Sequence, residues 1–343
     1  MSPTSGDPIL RVRDLRVRFT TEDGVLNAVD GVSFELGRGE VLAIVGESGS
    51  GKSVTSQTLI GLTRASNATI TGSVDYQGKD LIALDDRELQ QVRGSQIAMV
   101  FQDPMSSLNP VYRVGFQITE MIRAHRKVSK KEAMNRAVEL LRSVGIPNPE
   151  RRVHDYPHEF SGGMRQRVMI AMALALEPEI LIADEPTTAL DVTVQAQILR
   201  LIDGLNRDRD LAVVLITHDL GVVAEVADRV VVMYGGQIVE DGTLQEIFYD
   251  PQHPYTWGLL GSLTRLDQPH TDRLPQIGGQ PPSLLNPPPG CRFAPRCPYA
   301  FDRCSERPPL QSRGGGHLDR CWLDPAEKRQ LREVNGRIGL GSR

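Results

Sequence analysis

The sequence predicts an α/β fold: a mostly parallel sheet with helices, an antiparallel β region, a helix-rich insertion and a loop-rich, cysteine-bearing C-terminal part. Three observations predict it. Short apolar runs bounded by polar residues (41–45, 180–183 and 213–216) alternate with longer helical stretches. One N-terminal segment alternates residue by residue instead. All 4 cysteines, both tryptophans and 14 of the 23 prolines lie beyond residue 250.

Taken in order, residues 10–19 place Leu15, Val17 and Phe19 on one face and Arg16 and Arg18 on the other. That is the pattern of a half-exposed antiparallel strand. Residues 41–45 are apolar throughout and predict a buried strand; residues 56–62 predict the helix after it. Helices follow at 130–144 and 164–176, inside a helix-rich stretch of about 103–176. The strand at 180–183, the helix at 192–206 and the strand at 213–216 complete the alternation. Beyond 250, Pro281-Pro282 and Pro287-Pro288-Pro289 cannot sit inside helices or central strands. The expected organisation is a main domain over 1–250, a loop-rich domain over 251–330 and a frayed helical tail over 331–343.

Composition narrows the class. With 343 residues, 40% hydrophobic and 24% charged, the chain is neither mainly disordered nor collagen-like. A net charge of −4 lacks the basic excess that binding to nucleic-acid phosphates favours. The longest apolar run, residues 168–176, is far short of the ~20 residues of a membrane span. Residues 1–8 are polar, without the apolar core of a signal peptide. The expectation is a cytosolic chain whose membrane contacts are made through a partner.

The strongest motif is Gly46-Glu-Ser48-Gly49-Ser50-Gly51-Lys52-Ser53, between a predicted strand and a predicted helix that Val54 helps to open. Glycines let backbone N–H groups approach phosphate oxygens without a Cβ clash. The helix N-terminus points partial positive charge at the same anion. Lys52 supplies a full charge to the β- and γ-phosphates, and the Ser53 hydroxyl can ligate Mg²⁺. The strand at 180–183 delivers Asp184 and Glu185 at its C-terminal end, where ligands bind in open α/β sheets. Asp184 would hold magnesium through water. Glu185 would act as general base on the attacking water, an effect worth about 10²–10⁴ in rate. His218, at the end of the third strand, would orient the γ-phosphate and that water.

Three further segments complete a set: Gln102 after the apolar run 97–101, Ser161-Gly162-Gly163-Met164 before the acidic strand, and Ala189-Leu190-Asp191 after it. In this order the motifs of residues 10–250 resemble an ATP-binding-cassette (ABC) nucleotide-binding subunit. The segment reads SGGM here, where SGGQ is commoner. The resemblance implies a P-loop ABC ATPase core with antiparallel β and helical subdomains. It implies composite ATP sites, in which Ser161, Gly162 and Gly163 bind the nucleotide held by an opposing subunit. Gln102 would sense Mg²⁺ and the attacking water, Asp191 would touch the opposing subunit, and Phe19 would stack on adenine. Since the chain has one phosphate loop, the second cassette must come from another chain.

Gln102-Asp-Pro-Met-Ser-Ser-Leu-Asn-Pro110, Tyr156-Pro-His-Glu-Phe-Ser161 and His253-Pro-Tyr-Thr256 are similar to the dipeptide/oligopeptide (and nickel) importer branch. That implies ATP-driven import at the cytoplasmic face of the bacterial cell membrane. It also implies a second, non-identical ATPase subunit, two transmembrane permease subunits and an extracytoplasmic peptide-binding protein. Import of nickel chelates or other small solutes, or a soluble non-transport ABC ATPase, are the alternatives.

The cysteines are spaced Cys291-x5-Cys297-x6-Cys304-x16-Cys321. A reduced compartment disfavours disulfides, and so polar and Pro-rich a segment disfavours four structural buried thiols, which favours metal ligation and leaves unligated thiols as the alternative. The gaps exceed the usual zinc steps, and four thiolates also hold a [4Fe–4S] cluster. Spacing alone leaves cluster and Zn²⁺ open; the resemblance favours the cluster. Arg292, Arg296, Arg303 and Arg320 place positive charge beside these sulfurs.

Overall fold

The computed structural model describes residues 7–103, 107–188, 190–262 and 277–334. They form two compact units. One contains Gly37–Val41 and Ala83–Ile216; the other contains Pro8–Leu36, Leu42–Ile82 and the residues from Thr217 on. The strands in chain order are β1 (Leu10–Thr21), β2 (Gly24–Leu36), β3 (Val41–Val45), β4 (Ala68–Tyr76), β5 (Lys79–Asp80) and β6 (Ile97–Val100). They continue with β7 (Ile180–Asp184), β8 (Ala212–Thr217), β9 (Arg229–Tyr234), β10 (Gln237–Thr243), β11 (Gln311–Gly314) and β12 (His317–Asp319).

In the unit that holds β1, an antiparallel sheet runs β2-β1-β4-β5. The alternation read from β1 is present: Leu15 and Val17 are buried and Phe19 is half-buried. It breaks at Asp14, where φ is 44° and the pairings with β2 and β4 both shift register. A bulge there re-aims the strand. In the same unit β3 pairs parallel with β9, and β9, β10, β12 and β11 follow in antiparallel pairs. The β9–β10 hairpin closes on Gly235-Gly236, both at positive φ, as tight two-residue hairpin turns require. Its apolar core joins Ala43, Val45, Val230 and Val232 to Tyr255 and Phe293.

The residues after 250 therefore contribute more order than their prolines suggest. They supply the helices Pro254–Gly261 and Pro325–Val334, two strands, and the buried Tyr255 and Trp257. β11 and β12 escape sequence reading because they are short, largely polar and joined through Gly314, Gly315 and Gly316. The part of the tail at 335–343 lies outside the described residues.

In the other unit β6, β7 and β8 run parallel, with Ile97 opposite Ile180 and Ile180 opposite Ala212. Every residue of β7 is buried. The helices described there are Asp86–Val92, Val114–His125, Lys130–Ser143, Pro149–Arg152, Gly162–Ala173 and Val192–Arg209. Lys130–Ser143 opens on a reciprocal Ser129–Glu132 cap and buries Ala133, Ala137, Leu140 and Leu141, one stripe of a 3.6-residue period.

Helix ends differ from the expected ones for local reasons. Lys52–Leu59 starts at the phosphate loop rather than at Ser56. Gly162–Ala173 starts two residues early because Ser161 caps it. Val192–Arg209 runs past Asn206 until Asp210 turns left-handed. Among the described residues no helix is long and apolar enough to cross a membrane.

Candidate nucleotide site

The predicted site residues fall into two sets, one in each unit. The first is the loop between β3 and the helix Lys52–Leu59. Its glycines are required by their surroundings. At Gly46 a Cβ would lie 2.1 Å from the Met233 carbonyl oxygen. At Gly51, with φ of 97°, it would lie 2.5 Å from the Ala28 carbonyl oxygen. Gly236 N–H donates to Ser50 O at 2.9 Å, which braces the loop on the β9–β10 turn.

Lys52 is buried, and its Nζ donates to the carbonyls of Gly46 at 2.7 Å and Glu47 at 3.0 Å. Ser50 is buried too, and its Oγ has no hydrogen-bond partner among the described residues. An orphaned hydroxyl inside a glycine cradle fits a polar ligand. The helix from Lys52 has no side-chain cap, so its N-terminus suits an anion. Ser48 and Gly49 are exposed; Ser53 and Val54 are half-buried in the first turn. Phe19 sits in β1 opposite Leu26 and Ala68. His218 is exposed just after β8, and the next residue, Asp219, caps the helix Leu220–Val226.

The second set surrounds the end of β7. Asp184 is buried. Glu185 has φ of 47°, uncommon for a residue with a Cβ, and its N–H donates to Ile216 O at 2.9 Å. The Glu185 carboxylate accepts from Gln102 Nε2 at 2.9 Å and from Thr188 Oγ1 at 2.8 Å, both on Oε2. Two residues expected to act together are thus in contact. Thr188 was missed; its only sequence signal is a hydroxyl three residues beyond the carboxylate.

Ser161 caps the helix Gly162–Ala173 through Met164 N–H, and Asp191 caps Val192–Arg209 through Val194 N–H at 2.9 Å. The two helix starts meet, since a Cβ on Gly163 would lie 2.5 Å from Val194 Cγ1. Ala189 and residues 104–106 of the expected motifs lie outside the described residues.

The four cysteines line a single cavity with His253, Phe293, Tyr299 and Trp322. All four are free thiols. Burial pushes the Cys297 thiol up to about 12 and the Cys321 thiol up to about 11, and it raises Cys291 as well. Among the described residues, however, no group of three or more His, Cys, Asp or Glu side chains is placed to hold a metal ion. The expected closed ligand set is therefore not present as such. The four thiols share the lining of one cavity.

The glycine loop at a helix start and the acidic end of a parallel strand define a phosphate-loop ATPase. Residues 29–188 match the ABC transporter family, and residues 239–304 match the C-terminal region of oligopeptide/dipeptide transporters. The oligopeptide transport ATP-binding protein OppD of Bacillus subtilis is 56% identical over 92% of this chain and 88% of its own length. The dipeptide transport ATP-binding protein DppD of the same organism is 55% identical over 92% of this chain and 95% of its own. A dimeric ATP-binding cassette solved in a post-hydrolysis state with ADP and phosphate superposes with a TM-score of 0.62. It is 29% identical and covers 68% of this chain and 98% of its own. The CbiO1 cassette of Clostridium perfringens gives a TM-score of 0.61 at 30% identity, over 71% of this chain and 91% of its own. The chain belongs to the ABC transporter family, in its oligopeptide/dipeptide transporter branch. It is an ATPase of that family.

Proposed function

We propose that this chain hydrolyses ATP to power the import of di- and oligopeptides across the bacterial cytoplasmic membrane, from the cytoplasmic face. One observation carries the reading. A single chain holds a phosphate loop with a buried Lys52 and an orphaned Ser50 hydroxyl, together with the C-terminal region of oligopeptide/dipeptide transporters.

The roles follow from chemistry. The amides of residues 46–54 and Lys52 bind the triphosphate, Lys52 exchanging its loop carbonyls for phosphate oxygens. Phe19 supplies an aromatic surface for the base. Magnesium, when bound, offsets phosphate charge; Ser53, Gln102 and Asp184 would hold it. Glu185 takes the proton of the attacking water, Gln102 and Thr188 fix its carboxylate, and His218 orients the γ-phosphate. Ser161, Gly162 and Gly163, with Asp191, face the nucleotide of a second cassette. That cassette is a non-identical ATPase, and the pair works under two permease subunits fed by an extracytoplasmic peptide-binding protein. Residues 1–250 are the cassette, with a helical subdomain at about 103–176 whose residues 103–160 face the permease, and 251–330 form the cysteine domain.

Glu185→Gln should retain ATP while turnover falls by about 10²-fold or more. Undiminished hydrolysis by that variant would remove Glu185 from the base role.

The cysteine cavity supports a [4Fe–4S] cluster on Cys291, Cys297, Cys304 and Cys321. Tetrahedral zinc, with Zn–S bonds of about 2.3 Å, needs its sulfurs within about 4 Å of one another. The four cysteines line one cavity, and the likeness to the oligopeptide/dipeptide branch is what favours the cluster over zinc. The cluster, when bound, supplies four iron–thiolate bonds that staple loops with little apolar core. Anaerobically purified chain should be brown, with about four irons per chain, and Cys291→Ala should lower that content. Stoichiometric zinc in colourless protein would overturn the assignment.

A further inference from the structure

The phosphate loop is gripped by a residue from the cysteine segment. Glu47, second in the loop, receives a forked pair of hydrogen bonds from Arg296: Nη1 to Oε2 at 2.6 Å and Nη2 to Oε1 at 3.0 Å. The remaining N–H groups of the same guanidinium are also used. Nε donates to Gly278 O at 2.8 Å, Nη2 to Ile277 O at 3.0 Å and Nη1 to Tyr234 Oη at 3.2 Å. A guanidinium has five N–H donors, and all five have acceptors here. The Arg296 side chain is only 4% exposed.

The Glu47 backbone is held as well. Its N–H donates to Tyr255 Oη at 2.8 Å, and its carbonyl accepts from Lys52. Glu47 is an anion inside a loop whose task is to bind a polyanion. Left unpaired, its carboxylate would repel the triphosphate and draw on the loop's N–H groups and Lys52. A buried, fully bonded guanidinium cancels that charge and fixes the loop's first turn.

We propose that Arg296 is a positioning residue for nucleotide binding: it neutralises Glu47 and locks the phosphate loop, so that affinity for ATP depends on the C-terminal cysteine segment. The inference rests on the ATPase reading above. A staple that merely ties the tail down would make a different prediction, because removing the Glu47 charge could not then repair the loss of Arg296.

The test is ATP binding and steady-state hydrolysis by the full-length chain. Arg296→Ala should raise Kd and KM for ATP about tenfold, with kcat within about twofold of wild type. Adding Glu47→Gln to that variant should recover most of the affinity. Arg296→Lys, which keeps the charge and loses the fork, should fall between. If Arg296→Ala does not fold, a severalfold rise in Kd for Arg296→Lys, relieved by Glu47→Gln, carries the same test. Unchanged Kd in these variants, a loss that Glu47→Gln does not relieve, or a fall in kcat with KM unmoved would overturn the proposal. Failure of the wild-type chain to bind ATP would instead overturn the ATPase reading itself.

Discussion

His317 and Glu240 form a buried ionisable pair outside the nucleotide loop. His317 Nε2 lies 2.8 Å from Glu240 Oε1, and the same carboxylate accepts the N–H groups of Gln252 and His253. Burial alone would pull His317 below its ordinary value of 6.5. The hydrogen bond and charge of Glu240, with Glu246 and Asp250 nearby, outweigh burial, and the net shift is upward. A histidine whose folded value is raised contributes its full stability below the unfolded value of about 6.5, and loses it as pH rises through the folded value. Unfolding free energy measured by urea should therefore decline above pH ~6.5, and His317→Gln should flatten that decline. Parallel pH profiles for the two proteins would refute the pairing as a source of the dependence.

At the scale of elements, the junction of helices Gly162–Ala173 and Val192–Arg209 turns on one missing methyl group. A Cβ at Gly162 would meet Leu190 at 3.8 Å, an ordinary contact, whereas at Gly163 it would meet Val194 at 2.5 Å. Gly163→Ala should thus destabilise the chain by about 1–3 kcal/mol through overpacking, and Gly162→Ala should cost much less. Thermal unfolding of the two variants separates them; equal effects would mean that the helices adjust freely. The same junction explains why the sequence signal was strong here. Ser161 and Asp191 are both helix caps, so local folding rules and nucleotide chemistry ask for the same residue types at the same places.

At the scale of the molecule, what could be read from sequence is what is contiguous. The loop from Gly46 to Ser53, the strand ending in Asp184 and the alternation around Leu15 and Val17 each carry their pattern within a few residues. What could not be read is set by distant partners. Arg296 reaches Glu47 across 249 residues, and Arg292 reaches Asp30 across 262. Asp30 also binds Arg16, Arg307 and Gln237. Nothing in the local sequence of an arginine names its acceptor. The cysteine spacing is intermediate. It marked four thiols that do share a cavity, but their separation depends on how the intervening loops fold.

One feature of the tail bears on the fate of the protein in the cell. β12 pairs with β10 through Glu240–Asp319 and Asp241–Leu318, and β11 lies outside β12 with half of its residues exposed. A copy cut short before Gln311 would present the bare rim of β10, with Ile238 and Val239 on it, to any passing chain. Such a copy would stick to its siblings, so proteolytic clipping of the C-terminus becomes a route to clumping as well as to lost transport.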